Sequence, residues 1–214
     1  MKKSIAVLGL GKYGKSLAQN MFELGSDVLI VDIDEEKLKE FAPFSTSAIC
    51  ADLTNEDEVN NLGLKNLDVV VVAMGGNLAA SIMCVAVAKE QGVPLIVAKS
   101  SSDRMSSILK KIGADKVIVP EEYGGQQSAR ILSSDTFLDY FQVDSSLCMV
   151  EMKPLEKWVG KNLIDLNIRK KYKVNIVATK INGHWEAINP QDPLKANNPL
   201  LIVADKESLK RIDK

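Results

Sequence analysis

The stretch Ile5-Ala6-Val7-Leu8-Gly9-Leu10-Gly11-Lys12-Tyr13-Gly14 opens the segment that decides the fold of this chain, and Val28-Leu29-Ile30-Val31-Asp32 closes it. An uncharged apolar run leads into a glycine turn of the form G-x-G-x-x-G. A helical pattern follows, and then a second apolar run that ends in an acid. Two short apolar runs on either side of a helical pattern predict a β-α-β unit.

Each glycine of the turn has a mechanical role in such a unit. Gly9 allows the tight turn, Gly11 lets a phosphate approach the backbone because it has no Cβ, and Gly14 lets the helix pack close to the strand. Backbone N–H groups at the helix start point at the phosphate, and Asp32 is placed to accept hydrogen bonds from ribose hydroxyls. The segment therefore predicts a Rossmann-type nucleotide site. The alternative is a glycine turn in an α/β fold that binds nothing, and the motif does not specify the nucleotide.

Composition and charge narrow the class of protein. The 214 residues are 46% hydrophobic and carry a net charge of −1, which argues against a general nucleic-acid binder. No apolar run reaches the roughly 18 residues that a membrane span needs, and the N-terminus runs straight into the first strand without room for a signal peptide. Cys50, Cys84 and Cys148 form no C-x-x-C pair and are expected to be small buried residues in a reducing compartment. We therefore expect a soluble cytoplasmic protein.

The pattern of the first unit continues along the chain. Strands are predicted at residues 46–51, 69–73, 94–98 and 116–119, with helices between them. Asp34 is the expected N-cap of the second helix, and Thr54 with Asp57 resembles the capped start of the third. Six strands alternating with five helices predict an α/β fold with a doubly wound parallel sheet.

Ligands of such a sheet bind at the carboxyl ends of its strands. Several residues that are suited to nucleotide binding follow those ends in the sequence. They are the glycine turn, Asp32, Asp52, the turn Ala73-Met74-Gly75-Gly76, Lys99 and Glu121.

The pattern changes after the sixth strand. Residues 121–140 are predicted to be mostly helical, with large apolar groups such as Ile131, Leu132 and Phe141, and this helix either packs on a partner or folds back on the sheet. Beyond it, strands at 147–152, 175–180, 185–188 and 200–203, with a hairpin turn at Asn182-Gly183, predict a small α+β domain with a mostly antiparallel sheet. We place the domains at 1–135 and 136–214.

Catalytic motifs are sparse. His184, the only histidine, follows the hairpin turn, and the chain has no G-x-S-x-G elbow and no cluster of metal ligands at the usual spacing. The stretch from Gly9 to Ser16 does match the phosphate-loop pattern G-x-x-x-x-G-K-[ST], although Asp32 at the end of the second strand favours the Rossmann interpretation. We therefore predict a ligand sensor without catalytic residues. An NAD(H)-dependent oxidoreductase and a weak ATPase are the alternatives.

Several stretches resemble the RCK proteins, the cytoplasmic gating subunits of Ktr and Trk potassium transporters. The resemblance covers nearly the whole chain. It rests on the glycine turn followed by Asp32-Ile33-Asp34, Val97-Ala98-Lys99, Ile112-Gly113-Ala114-Asp115, Val119-Pro120-Glu121, Leu163-Ile164-Asp165-Leu166-Asn167-Ile168-Arg169 and Tyr172-Lys173-Val174-Asn175-Ile176-Val177-Ala178.

The resemblance implies an RCK N-terminal domain followed by an RCK C-terminal domain. It also implies homodimers that assemble into an octameric ring on a membrane potassium-channel subunit. ATP favours the active ring and ADP the inactive one in this family, and NAD(H) binding occurs in its wider membership.

Lys12 stands where relatives usually carry an arginine that reaches a neighbour's γ-phosphate, and lysine lacks the bidentate fork of arginine. Glu121 resembles an acid at the dimer interface that faces the phosphates and a cation, Mg²⁺ or another. The nucleotide site would comprise Gly9, Gly11, Lys12, Tyr13, Gly14, Asp32, Asp34, Asp52, Ala73, Met74, Gly75, Lys99 and Glu121.

The C-terminal domain resembles a cyclic di-AMP site. Arg169 would pair with phosphate, Asn175 would read a base edge, and Ile164, Ile176 and Pro190 would cover the adenine. Without the resemblance, Arg169 is better interpreted as one member of a solvated basic run.

Overall fold

The structure is a computed structural model that describes residues 2–212. The chain divides into two compact units, Met1–Glu122 and Tyr123–Lys214. The domain boundary predicted between residues 135 and 136 stays a prediction, because this division does not test where a separately folding domain ends. No helix within residues 2–212 is long and apolar enough to cross a membrane.

The first unit is built on a six-stranded parallel sheet with the order β3-β2-β1-β4-β5-β6. This is the doubly wound arrangement predicted from the sequence, and its strand order reverses between β1 and β4. The strands are β1 Ser4–Leu8, β2 Asp27–Asp32, β3 Ser47–Cys50, β4 Val69–Val72, β5 Leu95–Lys99 and β6 Lys116–Ile118. The helices are α1 Lys12–Glu23, α2 Glu35–Phe41, α3 Glu56–Asn60, α4 Leu78–Glu90 and α5 Asp103–Ile112, with 3₁₀ turns at Ala42–Phe44 and Leu64–Asn66.

Alternate residues of the central strands feed two separate cores. Ile5 and Val7 of β1 pack with α1 and α2 on one face, whereas Ala6 and Leu8 pack with α3, α4 and α5 on the other. A strand that is buried on both faces needs an uninterrupted apolar run, which explains why β1 and β4 contain no polar residue beyond Ser4.

Helix caps in this unit mostly follow the sequence. Asp34 caps α2 as predicted, since its side chain accepts hydrogen bonds from the N–H groups of Glu36 and Lys37. The prediction for α3 is wrong by one residue, because the N-cap is Asn55, whose side chain accepts from the N–H of Asp57. Thr54 instead donates its hydroxyl to Asp52 at 2.7 Å.

The second unit contains a five-stranded antiparallel sheet with the order β10-β9-β11-β8-β7. Its inner face packs on Trp158, Leu166 and Ile168. The strands are β7 Phe137–Gln142, β8 Leu147–Met152, β9 Asn175–Ile181, β10 His184–Ala187 and β11 Leu200–Asp205. The helices are α6 Pro120–Leu132, which begins at the end of the first unit, α7 Leu163–Leu166, α8 Ile168–Tyr172 and α9 Lys206–Ile212, with a 3₁₀ turn at Glu156–Trp158.

The helix predicted to run to Tyr140 stops at Leu132, so the prediction for residues 133–140 is wrong. Just beyond this end, Ser133 donates its hydroxyl to the carbonyl of Arg130 at 2.8 Å. Residues 137–142 then form the edge strand β7, in which Tyr140 is buried. Ile131 packs against the core of this unit, whereas Leu132 is 84% exposed.

Two smaller predictions have opposite outcomes. The hairpin at Asn182-Gly183 is confirmed, with φ values of 51° and 84° at its two central residues. Cys84 and Cys148 are buried as expected, but Cys50 is exposed because β3 is an edge strand with four exposed residues.

Candidate nucleotide site

The glycine turn joins β1 to α1 at the point where the strand order reverses. Gly9 has a φ of +98°, which favours glycine. A Cβ on Gly14 would overlap the carbonyl oxygen of Gly9, so only glycine allows this approach of helix to strand. A Cβ on Gly11 would meet no atom within 4 Å and would stand in open space. The turn therefore leaves a cradle at Gly11 that suits a phosphate group.

Asp32 lies at the end of β2 and is only 8% exposed. Its Oδ2 accepts a hydrogen bond from the N–H of Leu10 at 2.7 Å, and its Oδ1 accepts one from the N–H of Asp34 at 3.0 Å. The Nζ of Lys37 lies 3.5 Å from the same Oδ1. The carboxylate is thus tied to the glycine turn and to the start of α2, which fixes its place at the strand end.

A cleft of about 720 Å³ opens over the turn. Ten of the predicted nucleotide-site residues line it: Gly9, Gly11, Lys12, Tyr13, Asp32, Ala73, Met74, Gly75, Lys99 and Glu121. Gly76, which belongs to the turn predicted at this edge, also lines it, as do Ser16 and Pro120, which the sequence did not single out as site residues. Gly14 is not part of the lining, since it is buried beneath the turn.

A second cavity of about 240 Å³ shares Gly9, Asp32 and Met74 with the cleft. Asp52 lines this second cavity, so the structure brings it to the same edge as Asp32. The remaining lining residues are mostly apolar and were not predicted: Ile33, Ala51, Leu53, Thr54, Asn77 and Ala80. The larger cleft carries charged side chains, among them Lys12, Lys99 and Glu121, and the smaller cavity beside it has a size and an apolar lining suited to a base.

Asp34 lines neither cavity. It acts as the cap of α2, and the pKa of its carboxyl is lowered, chiefly because it accepts a hydrogen bond from the backbone N–H of Lys37. Its Oδ2 also lies 3.3 Å from the Nζ of Lys37.

Lys99 and Glu121 form an ion pair on one side of the cleft, with 2.7 Å between Nζ and Oε1. The side chain of Lys99 is 16% exposed and that of Glu121 is 66% exposed. The hydrogen bond from Lys99 lowers the pKa of Glu121 below its ordinary value. This pair supplies a cation for phosphate and an acid at the rim of the cleft.

Lys15 does not serve as a phosphate-loop lysine. Its Nζ pairs with Glu40 at 2.7 Å and lies 5.4 Å from the ring centroid of Phe41, and the residue does not line the cleft. The match to the NTPase pattern therefore places the lysine away from the cradle at Gly11.

The second unit contains a separate pocket of about 290 Å³. All five residues predicted for the second ligand line it, namely Ile164, Arg169, Asn175, Ile176 and Pro190. The pocket is closed further by Leu163, Ile168 and Val174, which the sequence did not single out. Arg169 is the only charged residue of the lining, so the pocket combines an apolar wall with one cation.

Residues 2–212 contain no group of three or more His, Cys, Asp or Glu side chains that could hold a metal ion. Glu121 is thus not part of such a group among these residues. His184 is exposed at the start of β10 and lines neither the cleft nor the pocket at Arg169.

Comparisons with known proteins place the chain among known relatives. The TrkA-N domain model matches residues 5–120, which contain every residue that lines the two cavities of the first unit except Glu121. The Ktr system potassium uptake protein C of Bacillus subtilis (strain 168) is 36% identical over 216 residues, covering 100% of this chain and 97% of the relative.

Solved structures support the fold alone, since their sequence identity is low. The GsuK RCK domain superposes with a TM-score of 0.68 at 13% identity, covering 100% of this chain and 47% of that chain. A GsuK channel bound to NAD gives a TM-score of 0.65 at 13% identity, covering 98% and 38%. The chain belongs to the family of Ktr system potassium uptake proteins, with a TrkA-N domain at residues 5–120.

Proposed function

We propose that this chain is a regulatory subunit that binds an adenine nucleotide in its first unit and gates a membrane potassium-channel subunit of Ktr or Trk type. The observation that carries the proposal is the cradle at Gly11. It lies at the reversal of strand order, between a buried acid and a lysine-containing wall. His184, the only histidine of the chain, does not line the cleft. We infer that the chain binds the nucleotide without turnover, as expected of a sensor.

Charged side chains of both signs would hold the nucleotide. Backbone N–H groups at the start of α1, with Lys12 and Lys99, suit the phosphates. Asp32 suits the ribose hydroxyls, and the smaller cavity at Asp52 suits the base. We infer ATP and ADP as ligands, with NAD(H) as a third, because each carries the adenosine and phosphate groups that this arrangement would recognise.

The pocket at Arg169 is proposed as the site of a second ligand, cyclic di-AMP. One guanidinium suits a phosphate and Asn175 suits a base edge. The aliphatic wall, with Ile164, Ile176 and Pro190, suits adenine rings. Such a ligand would act on the second unit, separately from the nucleotide.

The assembly is also proposed. Homodimers would form an octameric ring at the inner face of the cell membrane, in the cytoplasm, held there by the potassium-channel subunit. A second copy would supply the ligands that Glu121 lacks for Mg²⁺ or another cation. A nucleotide would act by favouring one arrangement of the ring over another, which requires different affinities for the two arrangements.

Thermal stability and solution mass test the proposal together. The purified protein is melted alone and with ATP, ADP, NADH or cyclic di-AMP, because a ligand that binds only the folded state raises the melting temperature. Stabilisation by ATP and ADP and a mass far above that of a dimer are expected. A shift with NADH alone, on a monomer or dimer that oxidises NADH with a small carbonyl compound, would overturn the proposal in favour of an oxidoreductase. Steady phosphate release from ATP would favour an ATPase instead.

A further inference from the structure

Lys37 lies beside two acids, Asp32 at the end of β2 and Asp34 at the cap of α2. Its Nζ lies 3.5 Å from Oδ1 of Asp32 and 3.3 Å from Oδ2 of Asp34, and its side chain is 41% exposed. Lys37 lines neither cavity of the first unit. The ammonium group therefore contacts the buried acid of the site from outside the cleft.

Asp32 still has acceptor capacity after its internal hydrogen bonds. A carboxylate offers about four lone-pair positions, and the N–H groups of Leu10 and Asp34 occupy one on each oxygen. Both remaining positions suit the paired hydroxyls of a ribose. The Nζ of Lys37 also lies close to Oδ1. The position of the lysine therefore decides from which direction a ribose hydroxyl can reach that oxygen.

The charge on Lys37 is stable across the physiological range. Its hydrogen bond to Asp34, followed by the charge of Asp32, raises the pKa of the lysine above its ordinary value. The lysine therefore stays a cation beside both acids at any pH at which the protein would be assayed.

We propose that Lys37 is a positioning residue that fixes Asp32 for the ribose, and that it thereby sets the preference of the site for a ribonucleotide over its 2′-deoxy counterpart. This inference rests on the proposed nucleotide-binding function. Lys37 acts through Asp32, so its effect belongs to the ribose end of the ligand and not to the phosphates.

The test compares ATP with 2′-deoxy-ATP as probes in equilibrium titrations of the full chain. In Lys37→Met, the ratio of the Kd for 2′-deoxy-ATP to the Kd for ATP should fall about threefold, the size expected for loss of a partly exposed ion pair. Lys37→Arg should restore the ratio. The backbone N–H of Lys37, which caps α2 through Asp34, is retained in both variants, so the helix keeps its cap.

Lys39→Met is the matched control. Lys39 lies on the same helix and pairs with Glu35 at 3.4 Å, away from Asp32. Its replacement should leave the ratio unchanged. In an Asp32→Asn background, Lys37→Met should have no further effect on the ratio, because the two residues would act as one unit.

The outcomes distinguish a failure of the role of Lys37 from a failure of the proposed nucleotide-binding function. ATP binding with an unchanged ratio in Lys37→Met, or an equal fall in Lys39→Met, overturns the role of Lys37 and leaves the proposed function standing. A wild-type chain that binds no ATP, ADP or NADH overturns the proposed function and the role of Lys37 together.

Discussion

Among single residues, Gly11 and Gly14 should differ in what their replacement affects: nucleotide binding at Gly11 and folding stability at Gly14. A Cβ at position 14 would overlap a backbone oxygen that cannot move away. Gly14→Ala should therefore lower the free energy of unfolding by at least about 2 kcal/mol, as overpacking does.

Gly11→Ala should change the free energy of unfolding by no more than about 1 kcal/mol, the range of N-cap effects. The added methyl group would nevertheless fill the cradle. Thermal melts with and without ATP measure both, and a Gly11→Ala variant that ATP still stabilises would contradict the assignment of the cradle.

Glu121 gives a prediction about acid stability. Its pKa is lowered from the ordinary value of 4.5 because Lys99 donates a hydrogen bond to it. A lowered folded-state pKa adds stability that is present above that ordinary value and is lost as pH falls through the folded-state pKa. On acidification from about pH 6 to about pH 3, wild type should therefore lose more melting temperature than Glu121→Gln.

Glu122→Gln is the control for this experiment, since Glu122 forms no ion pair with any residue in the described range 2–212. It should lose as much melting temperature as wild type. If Glu121→Gln and Glu122→Gln have the same pH profile, the ion pair with Lys99 does not form in solution.

The site residues differ in how much of the sequence is needed to predict them. Gly9, Gly11 and Asp32 could be placed from one β-α-β segment, because each has a fixed position relative to the first two strands. Thr54 and Asn77 were missed as lining residues because they reach the smaller cavity from loops after other strands. The stretch Asp52-Leu53-Thr54 directly follows β3, and this position was the available signal.

At the scale of elements, the β9–β10 hairpin tests the turn geometry. Gly183 has a φ of +84°, and a Cβ there would meet nothing within 4 Å. Gly183→Ala should thus lower the free energy of unfolding by about 1 kcal/mol, the cost of holding a residue with a Cβ in a left-handed backbone conformation. Gly124→Ala is the matched comparison, because Gly124 lies within α6 in equally open space. It should stabilise the protein by about 0.5–1 kcal/mol.

Chemical denaturation of both variants measures these changes. Equal losses of stability in Gly183→Ala and Gly124→Ala would contradict the assignment of a left-handed turn at 183 and of a helix at 124.

The strands of the parallel sheet were predictable, whereas β7 was not. Buried parallel strands are uninterrupted apolar runs, such as Val69–Val72, and their signal is local. The sequence Phe137–Gln142 mixes apolar and polar residues and has a register irregularity between Phe137 and Asp139, so its alternation is broken. Residues 137–142 form a strand because they pair with β8. A sequence pattern within one segment does not report that pairing.

At the scale of the whole molecule, the two units should respond to different ligands. Arg169→Ala removes the one cation of the second pocket. It should abolish stabilisation by cyclic di-AMP and leave stabilisation by ATP unchanged. Asp32→Ala should do the reverse. At a ligand concentration of 100 times Kd, each retained response corresponds to about 2.7 kcal/mol, which a thermal melt resolves.

A response to cyclic di-AMP that survives Arg169→Ala would contradict the proposed second site. Loss of both responses in one variant, with an unchanged melting temperature of the free protein, would contradict two independent sites.

A calorimetric titration of the purified chain with ATP, repeated with Gly11→Ala, tests directly whether the cleft over the glycine turn binds a nucleotide. We predict saturable binding by the wild type and its loss in a variant that melts at nearly the same temperature, because the cradle at Gly11 is open and its neighbours need not move. Absence of ATP binding by the wild type, or undiminished binding by Gly11→Ala, would contradict the claim that the cleft over the glycine turn is a nucleotide site.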